Sequence, residues 1–252
     1  MAQIPVALQL YTVRQLLAQD YAGTLRAAKD IGYDMVQLTG QVPYGADELK
    51  SLLADIGLGV AGIHVEWTQL RDNLDHWIEF AKVIGTDDLV WPYIEPQHRQ
   101  TSEDWLKIID MLNSIGERCK QAGMRLSYHN HSFEFETIDG QFILDAIYDR
   151  IPADVLYAEL DTYWIQHGGA DPVDYIRKYS GRMPILHLKD MADNEKRSFA
   201  EVGNGILDWP AIHAAAIEAG VEFYAVEQDT CPGDPLESAR MSREYVAKLV
   251  GG

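Results

Sequence analysis

Tyr21-Ala22-Gly23-Thr24-Leu25-Arg26-Ala27-Ala28-Lys29-Asp30-Ile31-Gly32 runs directly into Tyr33-Asp34-Met35-Val36-Gln37-Leu38. An amphipathic stretch is closed by glycine and followed by a short apolar run, which reads as a helix and then a strand. The same order returns along the whole chain. Strands are expected at 4–10, 33–38, 59–65, 88–93, 124–129, 154–160, 183–188 and 222–226. Helices are expected at 21–31, 46–56, 70–84, 102–121, 140–150, 172–179, 209–219 and 235–249. Gly32, Gly57, Gly85, Gly123 and Gly220 stand where helices should stop, and Thr101, Asp171 and Asp208 where they should start. Strict strand–helix alternation implies parallel strands joined by right-handed crossovers. Eight such units predict an α/β fold, the closed (β/α)8 TIM barrel, and 252 residues suit it. The rival is an open doubly wound sheet, which usually carries a glycine-rich turn after its first strand. Leu10-Tyr11-Thr12-Val13-Arg14 contains no glycine. No linker or low-complexity tract divides the chain, so a single domain over 1–252 is expected.

The hydrophobic share is 47% and the charged share 24%, an ordinary globular composition. No apolar run is long enough to span a bilayer, and Met1-Ala2-Gln3-Ile4-Pro5 lacks the features of a signal peptide. The two cysteines, Cys119 and Cys231, form neither a disulfide framework nor a CxxC pair, which fits a cytoplasmic location. A net charge of −18 argues against nucleic acid as partner, because phosphate backbones are bound by positive fields. Nothing points to a membrane, and a homo-oligomer is compatible with this composition.

Barrel enzymes carry their chemistry at the C-terminal ends of strands. Polar groups end five of the expected strands: Ile63-His64-Val65-Glu66, Ser127-Tyr128-His129-Asn130-His131, Glu159-Leu160-Asp161, Leu186-His187-Leu188-Lys189 and Ala225-Val226-Glu227. Side chains at i and i+2 share a strand face, so His129 with His131, and His187 with Lys189, face the same way. If those faces point into the barrel mouth, His129, Asp161, His187 and Glu227 converge. Two imidazoles with two carboxylates suit Mn²⁺, Co²⁺, Fe²⁺ or Zn²⁺, with Mg²⁺ as a further candidate, and Mn²⁺ is the expected ion. Singly, each residue reads as well as a cap or a core histidine; the coincidence on four successive strand ends makes the set. His131 could orient a ligand from behind, and Lys189 could bind substrate or merely pair with Asp190 or Glu159. His76, His98, His167 and His213 are left as surface residues.

These segments resemble the sugar isomerase/epimerase superfamily with the xylose-isomerase-like barrel, which includes inosose dehydratases, tagatose-type epimerases and endonuclease IV-type repair enzymes. The resemblance spans essentially the whole chain. It is carried by Val6–Arg14, Tyr128-His129-Asn130-His131, Leu160-Asp161-Thr162-Tyr163-Trp164, Ile185–Asp190, Glu201–Asp208 and Ala225-Val226-Glu227. It implies one metal ligand from each of the last four strands, which again gives His129, Asp161, His187 and Glu227. One departure matters. Family epimerases usually place glutamate where His129 stands and work with two opposed glutamates, so that mechanism does not transfer intact. The repair enzymes need further histidines where this chain has Trp164 and Trp91-Pro92-Tyr93, which disfavours DNA cleavage.

The expected function is a divalent-metal-dependent sugar isomerase or epimerase, working by proton removal beside a metal-bound carbonyl of a keto-sugar or related polyol. Glu227 is the expected base and His129 the second catalytic candidate, with His131 and Glu136 as fallbacks. Gln9, His64, Trp91, His131, Trp164 and Lys189 are expected to line a carbohydrate pocket. The alternatives are a lyase or dehydratase acting on a 3-keto-glycoside or inosose, and a silent sugar-binding protein that kept the barrel.

Overall fold

The computed structural model describes residues 4–251. Met1–Gln3, part of the segment read for a leader, lie outside the described residues, as does Gly252. Eight strands close a parallel barrel in sequential order: β1 Val6–Gln9, β2 Met35–Thr39, β3 Gly59–His64, β4 Asp88–Trp91, β5 Arg125–His129, β6 Tyr157–Asp161, β7 Ile185–Leu188 and β8 Phe223–Val226. β1 pairs with both β2 and β8, which completes the closure. The helices that cover the strands are α1 Tyr21–Ile31, α2 Ala46–Ile56, α3 Leu74–Ile84, α4 Ser102–Gln121, α5 Ile143–Arg150, α6 Pro172–Lys178, α7 Trp209–Ala219 and α8 Pro235–Val250. The expected (β/α)8 barrel is therefore the observed fold.

Local signals explain most boundaries. Asp20 caps α1 by accepting from the Gly23 N–H, and Gly32 ends it at φ 105°, which a side chain would resist. Thr101 and Asp104 form a reciprocal capping box at the start of α4. Alternation along the strands sends Leu8, Leu38, Ile63, Leu126, Leu160 and Leu186, all fully buried, outward against the helices. Each contributes roughly 1.5–3 kcal/mol by leaving water. The opposite faces carry Gln9, Gln37, His64, His129, Glu159 and His187 into the barrel, so the upper interior is polar though almost completely buried.

Two expected helices are shorter than the sequence suggested. The stretch 70–84 divides into a short helix Trp67–Asp72 and α3, because Asn73 takes a non-helical conformation between them. Residues 140–142 belong to a hairpin, Thr137–Ile138 with Gln141–Phe142, which turns through Asp139 and Gly140, both at positive φ. A further short helix, Thr162–His167, directly follows β6, and a small ladder pairs Asp190–Met191 with Phe199–Ala200 after β7. Among the described residues no helix is long and apolar enough to cross a membrane.

Candidate active site

The C-terminal ends of the strands open into a cavity of about 840 Å³. His64, His129, His131, Lys189, Glu227 and Asp229 line its floor, and Trp67, Tyr93, Phe133 and Trp164 form an aromatic wall. A smaller pocket of about 340 Å³ among the outer helices, edged by Asp75 and Arg118, has no comparable cluster.

His129, Asp161, His187 and Glu227 do meet. One donor atom from each lies within 4.8 Å of the others, and all four are buried. His129 Nε2 stands 3.8 Å from Asp161 Oδ2, and His187 Nδ1 stands 3.0 Å from Glu227 Oε2. The Asp161 backbone places its side chain by two contacts: its N–H donates to Asn130 Oδ1 and its Oδ1 caps the following helix at the Trp164 N–H. Its other oxygen, Oδ2, is buried and makes no well-directed hydrogen bond. A buried carboxylate oxygen with an ion-pair contact to Lys189 at 3.0 Å but no well-directed hydrogen bond, facing two imidazoles and a second carboxylate, belongs to a donor set that could hold a divalent ion.

Lys189 sits in the same place. Its Nζ lies 3.0 Å from Asp161 Oδ2, 2.9 Å from Glu227 Oε2 and 2.9 Å from Asp229 Oδ1, rather than beside Asp190 or Glu159. Burial opposes its charge, but Asp161, Asp229 and Glu227 outweigh that and hold the ammonium well above its ordinary range. Burial likewise pushes Glu227 up, yet the Lys189 charge and the His187 hydrogen bond bring it well below the usual carboxylate range. Burial raises Asp161 to about 6 against the pull of Lys189. Burial, aided by the neighbouring His187, lowers His129 to about 3, and burial with His129 lowers His131 well below normal. Burial opposes a charge on His187, but Glu159 and Glu227 outweigh it and raise that ring to about 10. The cavity therefore presents a carboxylate from β8, an ammonium and a charged imidazole from β7, and neutral imidazoles from β5.

Asp190 has a different task. Its carboxylate accepts from the N–H groups of Gly203, Gly205 and Leu207 and from Trp209 Nε1. It ties the loop 201–208 to the end of β7. A side chain at Gly205 would meet Asp190 Oδ1 at 2.2 Å, which explains the glycine.

Three expectations need correction. Gln9 does not line the cavity: it is fully buried one layer below, donating to Gln37 Oε1 at 2.7 Å. Trp91 is also buried, its ring stacked 6.0 Å from Trp67 and its Nε1 donating to the Tyr93 carbonyl. Trp67, held by Glu95 at 2.8 Å, takes the wall position instead. Glu136 is exposed beyond the short turn Phe133–Phe135 and is no candidate base. Its neighbour Glu134 turns inward and accepts from Tyr128 Oη at 2.6 Å and the His131 N–H at 2.8 Å. His64, His131, Trp164 and Lys189 do line the cavity.

One central residue went unrecognised. Glu159 Oε1 lies 2.6 Å from His64 Nε2, 3.1 Å from His129 Nδ1 and 2.8 Å from His187 Nε2. Its position two residues before Asp161 on the same strand face was the available signal. Burial raises Glu159, but His187 and His64, with hydrogen bonds from His129 and His187, hold it well below the usual range.

A closed parallel barrel with a cluster of imidazoles and carboxylates at its C-terminal mouth defines the class. The model of the xylose isomerase-like TIM barrel family matches residues 25–248, and the chain belongs to that family. An inosose dehydratase of Geobacillus kaustophilus (strain HTA426) is 26% identical over 171 residues, covering 60% of this chain and 55% of that protein. The chain thus matches little more than half the length of this curated relative. A solved sugar phosphate isomerase/epimerase from Parabacteroides distasonis ATCC 8503 superposes with a TM-score of 0.81 at 25% identity, covering 99% of this chain and 96% of that one. An L-ribulose 3-epimerase shares the fold, with a TM-score of 0.74 at 18% identity and coverage of 100% and 95%.

Proposed function

We propose that the chain is a divalent-metal-dependent carbohydrate lyase. It removes the proton beside the carbonyl of an unphosphorylated keto-polyol or keto-glycoside and expels the β-oxygen substituent. The observation that carries this reading is the asymmetry of the cavity floor. Glu227, ionised and 4% exposed, offers a base beside the ammonium of Lys189, whereas the β5 side offers only neutral imidazoles. Elimination needs one base and one proton donor near the leaving oxygen. Epimerisation with two opposed carboxylates would need a partner where His129 stands.

His129, Asp161, His187 and Glu227 would hold the ion, which when bound polarises a carbonyl and acidifies the neighbouring C–H. Glu227 takes that proton on its carboxylate. The released electron pair forms the carbon–carbon double bond, and the β-oxygen leaves with a proton supplied from the Lys189 side. His131, Trp164 and Trp67 line the cavity; in this reading His131 and Trp164 would border the reacting ring and Trp67 would pack on its apolar face. Among the described residues, Arg14 and Lys189 are the only lysine or arginine side chains that line the cavity. Arg14 gives one N–H to the Tyr11 carbonyl and Lys189 is held by three carboxylates, while Glu66 and Glu95 add negative charge. A phosphate would meet the Arg14 guanidinium as the one cation without an ion-pair partner among the described lining residues, against the negative charge of Glu66, Glu95, Glu227 and Asp229.

The second reading is an isomerase or epimerase with His131 returning the proton. It is favoured by the whole-length likeness to the P. distasonis protein. Product analysis separates them. Keto-polyols and 3-keto-glycosides, with and without phosphate, are incubated with Mn²⁺-loaded protein. An α,β-unsaturated ketone with loss of water or aglycone supports the lyase; a stereoisomer or shifted carbonyl of unchanged mass overturns it in favour of the second reading.

A further inference from the structure

The buried polar layer below the cavity holds a second group with the ligand types of a metal site: His64, His129, Glu159 and His187, with one donor atom of each within 4.8 Å of the others. It shares two rings with the upper set. His129 turns Nδ1 to Glu159 and Nε2 toward Asp161, and His187 turns Nε2 to Glu159 and Nδ1 toward Glu227. A neutral imidazole has one N–H and one lone pair. Two ions, one in each set, would require both nitrogens of both rings to act as ligands, and hence loss of both ring protons. One ion in the upper set requires only that the lower nitrogens keep their protons and donate them.

Glu159 is built to receive them. It is fully buried, and its Oε1 gathers His64 Nε2, His129 Nδ1 and His187 Nε2. Its Oε2 accepts from Gln37 Nε2 at 2.5 Å. Gln37 is fixed in turn by the Gln9 amide at 2.7 Å, so the carboxylate cannot swing away without breaking a chain of buried hydrogen bonds. His64 stacks on His187 at 5.4 Å with an interplanar angle of 11°, which holds that ring's tilt.

We infer that Glu159 is a positioning residue: its carboxylate, joined at His187 Nε2 by the Gln37 amide oxygen at 2.8 Å, keeps the protons on His129 Nδ1 and His187 Nε2 and so leaves His129 Nε2 and His187 Nδ1 for a single divalent ion. This rests on the metal in the proposed function and adds that the lower cluster orients ligands instead of binding a second ion. Outer carboxylates that orient metal-bound histidines typically change metal affinity by about 10–100-fold when lost.

The test is Mn²⁺ titration of full-length wild type and Glu159→Gln, by calorimetry and by electron paramagnetic resonance of the free ion. Circular dichroism checks the fold. In parallel, long-range ¹H–¹⁵N correlation on Zn²⁺-loaded wild type reads which histidine nitrogens carry protons. One ion per chain in both proteins, a Kd about 10–100-fold weaker in Glu159→Gln, and protons on His129 Nδ1 and His187 Nε2 are expected. Equal affinities in a folded variant would overturn the inference and leave the proposed function standing. Two ions in wild type and one in the variant would make Glu159 a ligand and also overturn it. Wild type that binds no divalent ion overturns both. If Glu159→Gln does not fold, the wild-type spectrum decides: protons on the opposite nitrogens refute the inference.

Discussion

Replacing Lys189 by Met tests how the floor of the cavity is held together. The ammonium is 1% exposed and stands 2.9–3.0 Å from Asp161, Glu227 and Asp229. At that separation each pair is worth about 6 kcal/mol gross at an effective dielectric near 20. Desolvating the ammonium cancels much of this, so the gross figure is not a stability. Removing one partner of a buried ion pair leaves the other charge uncompensated, and that typically costs about 3–5 kcal/mol. Asp161, already raised to about 6 by burial, can take up a proton and relieve part of the strain, and Asp229 is partly solvated. The low end, about 3 kcal/mol, is the expected loss for metal-free protein. For a chain of this size that is a Tm drop of roughly 6–12 °C. Saturating Mn²⁺ should recover more stability in Lys189→Met than in wild type, because the ion then meets the carboxylates without a competing ammonium. Calorimetric melts with chelator and with Mn²⁺ provide the four values. Equal metal-free Tm values, or a variant that Mn²⁺ does not raise, would refute the reasoning.

Other consequences follow from the same geometry. Asp161→Ala and His187→Ala should each lose bound metal while keeping a wild-type circular dichroism spectrum; a variant that retains metal would misplace the site. Burial pushes Glu134 up to about 7, with the Tyr128 hydroxyl opposing, from an ordinary value of 4.5. Its contribution to stability is therefore full below about pH 4.5 and is lost as pH rises through about 7, by at most ~3 kcal/mol. Urea unfolding should show Glu134→Gln gaining on wild type between pH 5 and 8, and parallel pH curves would contradict this. Trp67→Ala should remove the wall that packs on substrate, raising KM roughly ten-fold with little change in kcat; an unchanged KM would move the substrate elsewhere in the cavity.

The barrel was legible because each α/β unit repeats the same local grammar, and Gly32, Gly57 and Thr101 punctuate it independently of distant contacts. Convergence of His129, Asp161, His187 and Glu227 was legible from polar groups on four successive strand ends, given that those faces point into the barrel mouth, because closing the barrel leaves one place for such side chains to meet. What failed depended on depth and on irregular connections. Gln9 has the right face, but the layer it occupies is set by barrel stagger, which no single strand encodes. Trp91 was displaced by Trp67, which follows β3 on a short helix that the continuous reading of 70–84 concealed. Glu134 and Glu136 exchange roles because the turn after β5 breaks the alternation. Glu159 looked like a partner for Lys189 because both carry charge at neighbouring strand ends. The structure puts Lys189 in the upper layer and Glu159 in the lower.

The central claim is that Glu227 removes a carbon-bound proton beside a carbonyl. Its most direct test is solvent exchange: Mn²⁺-loaded wild type and Glu227→Gln are incubated with an unphosphorylated keto-polyol in D₂O, and deuterium at the α-carbon of recovered substrate is followed by NMR. The account predicts incorporation by wild type and a rate about 10²–10⁴-fold lower in Glu227→Gln. Equal incorporation by the two proteins, or product that keeps the label when an α-deuterated keto-polyol is turned over in H₂O, would contradict it.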